Sequence, residues 1–218
     1  FHCVTRVEIH FALAALEADG RIQSILTQNV DGLHAQAGSR AVLELHGNIH
    51  SVHCLACGTR VPRALVQTQL AALNPQVAQA EAKPLPDGDA QVEPEFLDDF
   101  VLPACAQCGG VLMPDVVFFG DNVPAARTAT GLAQMEAADA LLVVGSSLMV
   151  YSGFRFCRLA QASGKPIAAL NLGITRADHM LSLKIEQSAE RLLPQVTSVL
   201  QADAAPDTTG FIDERGVF

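Results

Sequence analysis

Two cysteine pairs of identical spacing constrain this chain more than any other feature. Cys54 with Cys57 and Cys105 with Cys108 each enclose two residues, and glycine follows each pair, Gly58 in one case and Gly109-Gly110 in the other. Four thiolates on two such turns make a tetrahedral zinc site. The trailing glycines let the backbone turn tightly enough for amide N–H groups to face the sulfurs. Four sulfurs close the coordination sphere, so one structural Zn2+ is expected and any catalysis belongs elsewhere. Residues 58–104, between the pairs, exceed the usual ribbon spacing. A small zinc-binding module over 49–113 is therefore expected, inserted into a larger domain. Inside it, residues 62–73 read as a helix. Residues 83–99 carry Asp87, Asp89, Glu93, Glu95, Asp98 and Asp99 among prolines, which reads as an acidic loop, either solvated surface or a docking segment. Cys3 and Cys157 lie apart and read as ordinary buried thiols.

The flanking sequence alternates strand and helix patterns. Residues 22–29, 140–147 and 166–173 are apolar runs that end in small or polar residues, as in parallel strands covered on both faces. Helical patterns cover 7–18, 125–138, 153–162 and 189–200. The fold class expected is α/β, a doubly wound parallel Rossmann-like sheet spanning 1–48 and 114–200, with a polar tail over 201–218. Ligands of such sheets bind beyond the carboxyl ends of the strands. Those ends are Thr27-Gln28-Asn29, Gly145-Ser146-Ser147 and Asn171-Leu172-Gly173, the residue types a sugar and phosphate site needs. Half of the 218 residues are hydrophobic, enough for a substantial core. A formal net charge of −9 argues against broad nucleic-acid binding and favours cationic or lysine-bearing partners. No apolar run is long enough to span a bilayer. Paired metal-binding thiols suit a reducing compartment, the bacterial cytoplasm or, in a eukaryote, the mitochondrial matrix.

Three groups of residues carry candidate chemistry. Gln28, Asn29 and Asp31 offer amide and carboxylate groups that could read an amide-bearing ligand. The same residues could simply cap the helix that follows. His46, in Leu43-Glu44-Leu45-His46-Gly47-Asn48, ends an apolar segment and could be a general base or a structural histidine. Ser146 and Ser147 lack the Gly-x-Ser-x-Gly elbow of a serine hydrolase, so sugar or phosphate binding is the better reading, with a Ser146–His46–Asp31 hydrolase as its competitor. His53 adjoins Cys54, but four cysteines already complete the metal site.

Together these motifs resemble the sirtuins, the NAD-dependent protein deacylases. The matching stretches are TQNVDGLH (27–34), ELHG (44–47), CLACG (54–58), CAQCGG (105–110), PDVVFFGD (114–121), LLVVGSSLMVYS (141–152) and NLG (171–173). They occur in the family's order and cover about residues 10 to 195. VVFFGD and GSSLMVYSGFRF look most like the class II branch with its sirtuin 4 type. The resemblance implies His46 as catalytic base. It implies Gln28, Asn29, Val30 and Asp31 around nicotinamide and ribose, and Gly145, Ser146 and Ser147 on ribose and phosphates. Asn171, Leu172, Gly173 and Ala189 fall on the adenosine side, although the family often has cysteine where this chain has Ala189. An acyl-lysine peptide would lie as an added strand between Val116–Gly120 and Met149–Ser152, read mostly through its backbone. The implied reaction transfers the acyl group to ADP-ribose and releases nicotinamide and free lysine.

One departure stands out. The family's first strand and glycine-rich pyrophosphate loop have no counterpart in a chain that begins at Phe1. Without them NAD binding should be poor and a sheet edge exposed. The expectation is a deacylase whose N-terminal portion lies outside this sequence. The alternatives are a non-catalytic zinc-stabilised binding module and a mono-ADP-ribosyltransferase.

Overall fold

The computed structural model describes residues 8–78, 83–84, 90–91 and 99–204. Cys3, most of the expected acidic loop (85–89 and 92–98) and residues 205–218 of the tail lie outside them. The chain forms two compact units. One comprises Ser24–Gln36 and Ala41–Ala137, and the remaining described residues form the other.

The chain enters through helix α1 (Glu8–Ala18), which belongs to the second unit. Its end follows from Gly20. With φ of +72° this residue takes the left-handed conformation that glycine adopts without strain. The Gly20 amide then donates to the Glu17 carbonyl and the Arg21 amide to that of Leu16, the paired bonds of a Schellman cap.

In the first unit, strand β1 (Ile25–Thr27) is followed by a short helix α2 (Leu33–Gln36) and strand β2 (Val42–Glu44). β1 and β2 pair in parallel, Thr27 opposite Glu44. The apolar run 22–29 is longer than the three-residue strand, because its ends are spent on turns. Strand β3 (Gly47–Cys54) then runs into the cysteine region, and β4 (Arg60–Pro62) folds back against it. Helix α3 (Arg63–Leu73) and the short α4 (Pro75–Ala78) follow. β5 (Lys83–Pro84) and β6 (Ala90–Gln91) make a two-residue ladder. β7 (Leu112–Val116) pairs antiparallel with β3 on its other edge. The register slips between Asn48 and Val52, where β3 carries extra residues beside Pro114, a residue with no N–H to give to the ladder. Asn74 is fully buried and fully used: its side-chain amide donates to the carbonyls of Leu70 and Val101, and its oxygen accepts from the Val101 amide. It thereby fastens the end of α3 to the returning chain. Helix α5 (Ala125–Ala137) completes the unit, with Met135 in the core.

The second unit contains β8 (Leu141–Val144), helix α6 (Tyr151–Ala162), β9 (Ile167–Leu170), β10 (Leu183–Ile185) and helix α7 (Ala189–Ala204). The strands are parallel in the order β10-β9-β8. Parallel neighbours need a crossover, and α6 supplies it between β8 and β9. Gly164 caps α6 as Gly20 caps α1, with Lys165 donating to the Ala160 carbonyl. Ile167, Ala169, Leu170, Val143, Cys157 and Ala160 form the core, and α1 lies against α7. Burial pushes the Cys157 thiol up to about 11, in keeping with an inert packed cysteine. Among the described residues no helix is long and apolar enough to cross a membrane.

Candidate active site and metal centre

The four cysteines come together. Their sulfurs all lie within 4.8 Å of one another. Cys54 and Cys108 approach to 3.5 Å, and Cys57 and Cys105 to 3.7 Å. Four ligands at a zinc–sulfur bond of about 2.3 Å would stand about 3.8 Å apart. The two Cys-x-x-Cys turns are built alike. The Gly58 amide donates to the Cys54 carbonyl and the Gly109 amide to that of Cys105, with φ of +71° and +72° at the two glycines. Gly110 has a different task. A Cβ there would stand 2.9 Å from the Cys54 sulfur and 3.2 Å from the Cys108 sulfur, so its backbone forms one wall of the centre.

The electrostatics also call for a cation. Hydrogen bonding with the Thr59 side chain, then with the Thr59 main chain and with Cys108, holds Cys57 down to about 6. Cys108 benefits from the Gly110 amide, yet proton sharing with Cys54 and Cys57 pushes it up to about 12. The bare sulfurs cannot all be thiolates side by side, whereas a divalent ion deprotonates them together. The donor set therefore fits zinc. His53 is not among the clustered ligands.

The expected chemical residues of the first unit sit at the carboxyl ends of its parallel pair. Gln28, Asn29, Val30 and Asp31 follow β1, and His46 follows β2 after the buried Leu45. The Leu45 amide donates to the Thr27 carbonyl and the Ile49 amide to that of Val30, so the two strand exits are laced together. His46 is half-buried. Desolvation lowers its pKa below 6.5, and a hydrogen bond to the main chain of Gln28 works in the opposite direction. The imidazole is thus neutral at pH 7 and oriented by the main chain of Gln28. Its own carbonyl accepts from the Val117 amide at 2.8 Å.

Capping is represented in the 28–31 loop. Asp31 Oδ1 accepts from the Leu33 amide at the start of α2, and the Asn29 amide donates to Thr27 Oγ1. The Asp31 carbonyl bonds the His50 ring at 2.9 Å. Asn29 is exposed, and Gln28, Val30 and Asp31 are half-buried.

Beside Gly47 lies a charged cluster not anticipated from the sequence. The Asp115 carboxylate, on β7, meets Arg60 of β4 at 2.8 Å and Arg127 of α5 at 3.1 Å. His53 Nδ1 stands 3.9 Å away, buried and without a hydrogen-bond partner. Asp115, Arg60 and Arg127, with Glu44, Asn48 and His50, border a cavity of about 450 Å³. An aspartate inside an apolar strand, Leu112-Met113-Pro114-Asp115-Val116, is the signal that could have announced a buried cation partner.

In the second unit Gly145-Ser146-Ser147 and Asn171-Leu172-Gly173 leave adjacent strands, with Val144 opposite Leu170. Gly145 turns at φ +58° and donates to the Leu170 carbonyl. Leu148 is the one non-glycine residue at positive φ (57°) among the described residues, and it is buried. Its amide donates to Ser146 Oγ, which helps hold the strained turn. Asn171 folds its amide onto the carbonyls of Leu172 and Gly173 and leaves Leu172 exposed. Leu172 then borders a cavity of about 410 Å³ with Gln187, Ser188, Arg191 and Gln195. Ala189 is buried at the first turn of α7, next to that lining. Asp178 steadies this region by accepting from the Thr175 amide and hydroxyl and pairing with Lys184 at 2.7 Å.

Known proteins give the same picture. The Sir2 family model matches residues 3–152. An NAD-dependent protein deacetylase of Xanthomonas campestris pv. campestris (strain 8004) is 58% identical over 184 residues, covering 84% of this chain and 63% of that protein. One from Bordetella bronchiseptica is 50% identical over 189 residues, covering 87% of this chain and 69% of that protein. A solved structure of Sir2 with a p53 peptide and NAD+ matches with a TM-score of 0.70 and 27% identity, over 90% of this chain and 70% of that one. The chain thus spans a little under two thirds of the Xanthomonas relative, 63% of its length. Strand order, cysteine cluster and these likenesses agree: the fold is the Rossmann-like α/β fold of the sirtuins, and the chain belongs to the Sir2 family.

Proposed function

We propose that this chain carries the catalytic base, the zinc module and part of the cofactor site of an NAD-dependent protein-lysine deacylase, one that moves an acyl group from lysine to ADP-ribose and releases nicotinamide. The observation that carries the reading is His46: a half-buried, neutral imidazole at a strand's carboxyl end, oriented by the main chain of Gln28. Such a group can accept a proton from a sugar hydroxyl at neutral pH. NAD, when bound, supplies an electrophilic glycosidic carbon with nicotinamide as its leaving group. Gln28, Asn29, Val30 and Asp31 would hold nicotinamide and its ribose. Gly145, Ser146 and Ser147 would take ribose and phosphate through hydroxyl and amide groups. Asn171, Leu172, Gly173 and Ala189 would bound the adenosine, with exposed Leu172 as an apolar face for the base. The donor types and the cavity beside Leu172 fit that cofactor.

The acyl-lysine segment would pair as a strand along Val116–Gly120 and Met149–Ser152, where Phe118, Phe119, Met149 and Val150 are exposed apolar residues. Zinc would keep the module over 49–113 folded without touching the acyl group. The motifs PDVVFFGD and GSSLMVYSGFRF favour the class II, sirtuin 4-like branch. The bacterial relatives support a cytoplasmic setting.

The test uses the full-length protein. Nicotinamide release should require both NAD and an acyl-lysine peptide, and His46→Ala should reduce it by about 10²–10⁴. Unchanged turnover in that variant would remove His46 from the mechanism. ADP-ribose retained on protein would point to a transferase. Zinc content and partner binding without NAD consumption would point to a binding module.

A further inference from the structure

Tyr151 is the only tyrosine of the chain and stands 47% exposed at the first turn of α6. Three arginines gather around it and its neighbour Phe154. The Arg155 guanidinium lies 5.3 Å from the Tyr151 ring centroid. Arg158 donates to the Tyr151 hydroxyl at 3.4 Å. Arg176 lies over the Phe154 ring at 4.4 Å and donates to the Met149 carbonyl at 3.0 Å. The two rings meet edge to face, with centroids 6.5 Å apart, and Phe154 is buried, so the ladder is anchored in the core.

Three basic side chains elsewhere pair with carboxylates: Arg60 and Arg127 share Asp115, and Lys184 bridges Asp178 and Glu186. Among the described residues, Arg158 and Arg176 meet no carboxylate. A solvated arginine on a surface is commonplace. Arginines held by ring stacking and by hydrogen bonds to Tyr151 and Met149 are less so. Their side chains are already ordered, so capturing an anion costs less conformational entropy. The guanidinium fork is also shaped for a carboxylate.

Met149 and Tyr151 belong to the segment proposed to line one side of the acyl-lysine strand, and the role of these arginines rests on that reading. We infer that Arg158 and Arg176 read an acidic side chain close to the acyl-lysine, so that the preferred substrates are proteins carrying Asp or Glu within about three residues of the modified lysine. Backbone pairing alone is nearly blind to sequence, and this basic corner supplies selectivity. It also reverses locally what the chain's overall negative charge suggests about partners.

The experiment compares, on the full-length protein, acyl-lysine peptides identical except for flanking Glu, Gln or Lys. The Glu peptide should exceed the Gln peptide in kcat/KM by about five- to tenfold at low salt, falling towards parity near 0.5 M NaCl. In the Arg158→Glu/Arg176→Glu double variant the ratio of Glu to Lys peptide should invert. This ratio is taken within one enzyme, so a general loss of activity does not move it. Arg158→Gln alone should reduce the preference if the double variant fails to fold. Equal kcat/KM for all three peptides with the unsubstituted protein would overturn the inference. So would an unchanged ratio accompanied by a raised KM for NAD, which would assign the cations to cofactor phosphate. No nicotinamide release with any peptide would instead overturn the deacylase reading. Direct titration of the same peptides would still decide this inference, which equal affinities would refute.

Discussion

Replacing Gly47 by alanine should damage the protein through one identifiable collision. Gly47 follows His46, begins β3 and pairs with Val116 of β7. Its φ is +85°, and a Cβ there would stand 1.9 Å from the Asp115 carbonyl oxygen and 2.9 Å from its carbonyl carbon. A carbon needs roughly 3.5 Å from such neighbours, so the strands must separate by more than about 1 Å at this point. That movement strains the Gly47–Val116 pairing and the bond from the Val117 amide to the His46 carbonyl, now 2.8 Å. Two weakened hydrogen bonds cost about 1 kcal/mol each, and left-handed backbone at a non-glycine residue costs about 1–2 kcal/mol more. The sum, about 3–4 kcal/mol, is a large part of an ordinary stability of about 5–15 kcal/mol. Urea denaturation of the full-length protein should show the midpoint falling by about 1–4 M, given slopes of about 1–3 kcal/mol/M. Gly20→Ala is the control. Gly20 has φ of +72° and nothing within 4 Å of where a Cβ would stand, so only the backbone penalty of about 1–2 kcal/mol applies. Equal midpoint shifts for the two variants would refute the close β3–β7 approach.

Gly110→Ala should lower zinc affinity by at least tenfold, measured by competition with a chromophoric chelator, because its Cβ would press on the sulfurs of Cys54 and Cys108. Gly58→Ala, with open space around it, should retain more of the metal. The pH profile of kcat/KM should have an acid limb with its midpoint below 6.5, since burial lowers the His46 pKa and the neutral ring persists as pH falls. The same shift makes His46 oppose folding in acid: the unfolded chain takes up the proton first, so its contribution to stability declines as pH drops through 6.5. A limb at or above pH 7 would contradict the burial of this ring.

What the sequence made legible was local. Paired cysteines with trailing glycines announce a metal knuckle because ligands and turns lie within a few residues of one another. Gly20 likewise ends α1 by its own conformational freedom. The strand exits at Gln28, Gly145 and Asn171 could be read because a parallel strand changes character abruptly where it ends. The Asp115–Arg60–Arg127 cluster could not, since its members come from β7, β4 and α5 and meet only after folding. Gly47 looks like any glycine until β7 arrives beside it. Asp31 reads equally well as helix cap or ligand group, and one carboxylate oxygen does cap α2. Tyr151, Arg155 and Arg158, spaced i, i+4 and i+7 along α6, offered a signal that one face of that helix gathers positive charge.

The antiparallel pairing of β3 with β7 places Cys54 opposite Leu112. The polypeptide therefore departs for its long excursion and comes home at a single doorway, which the sulfurs bolt shut. Lengthening or replacing what lies beyond that doorway adds little closure entropy, since the penalty grows only with the logarithm of loop size. A lineage could exchange the whole appendage for another recognition element, and His46 would keep its place.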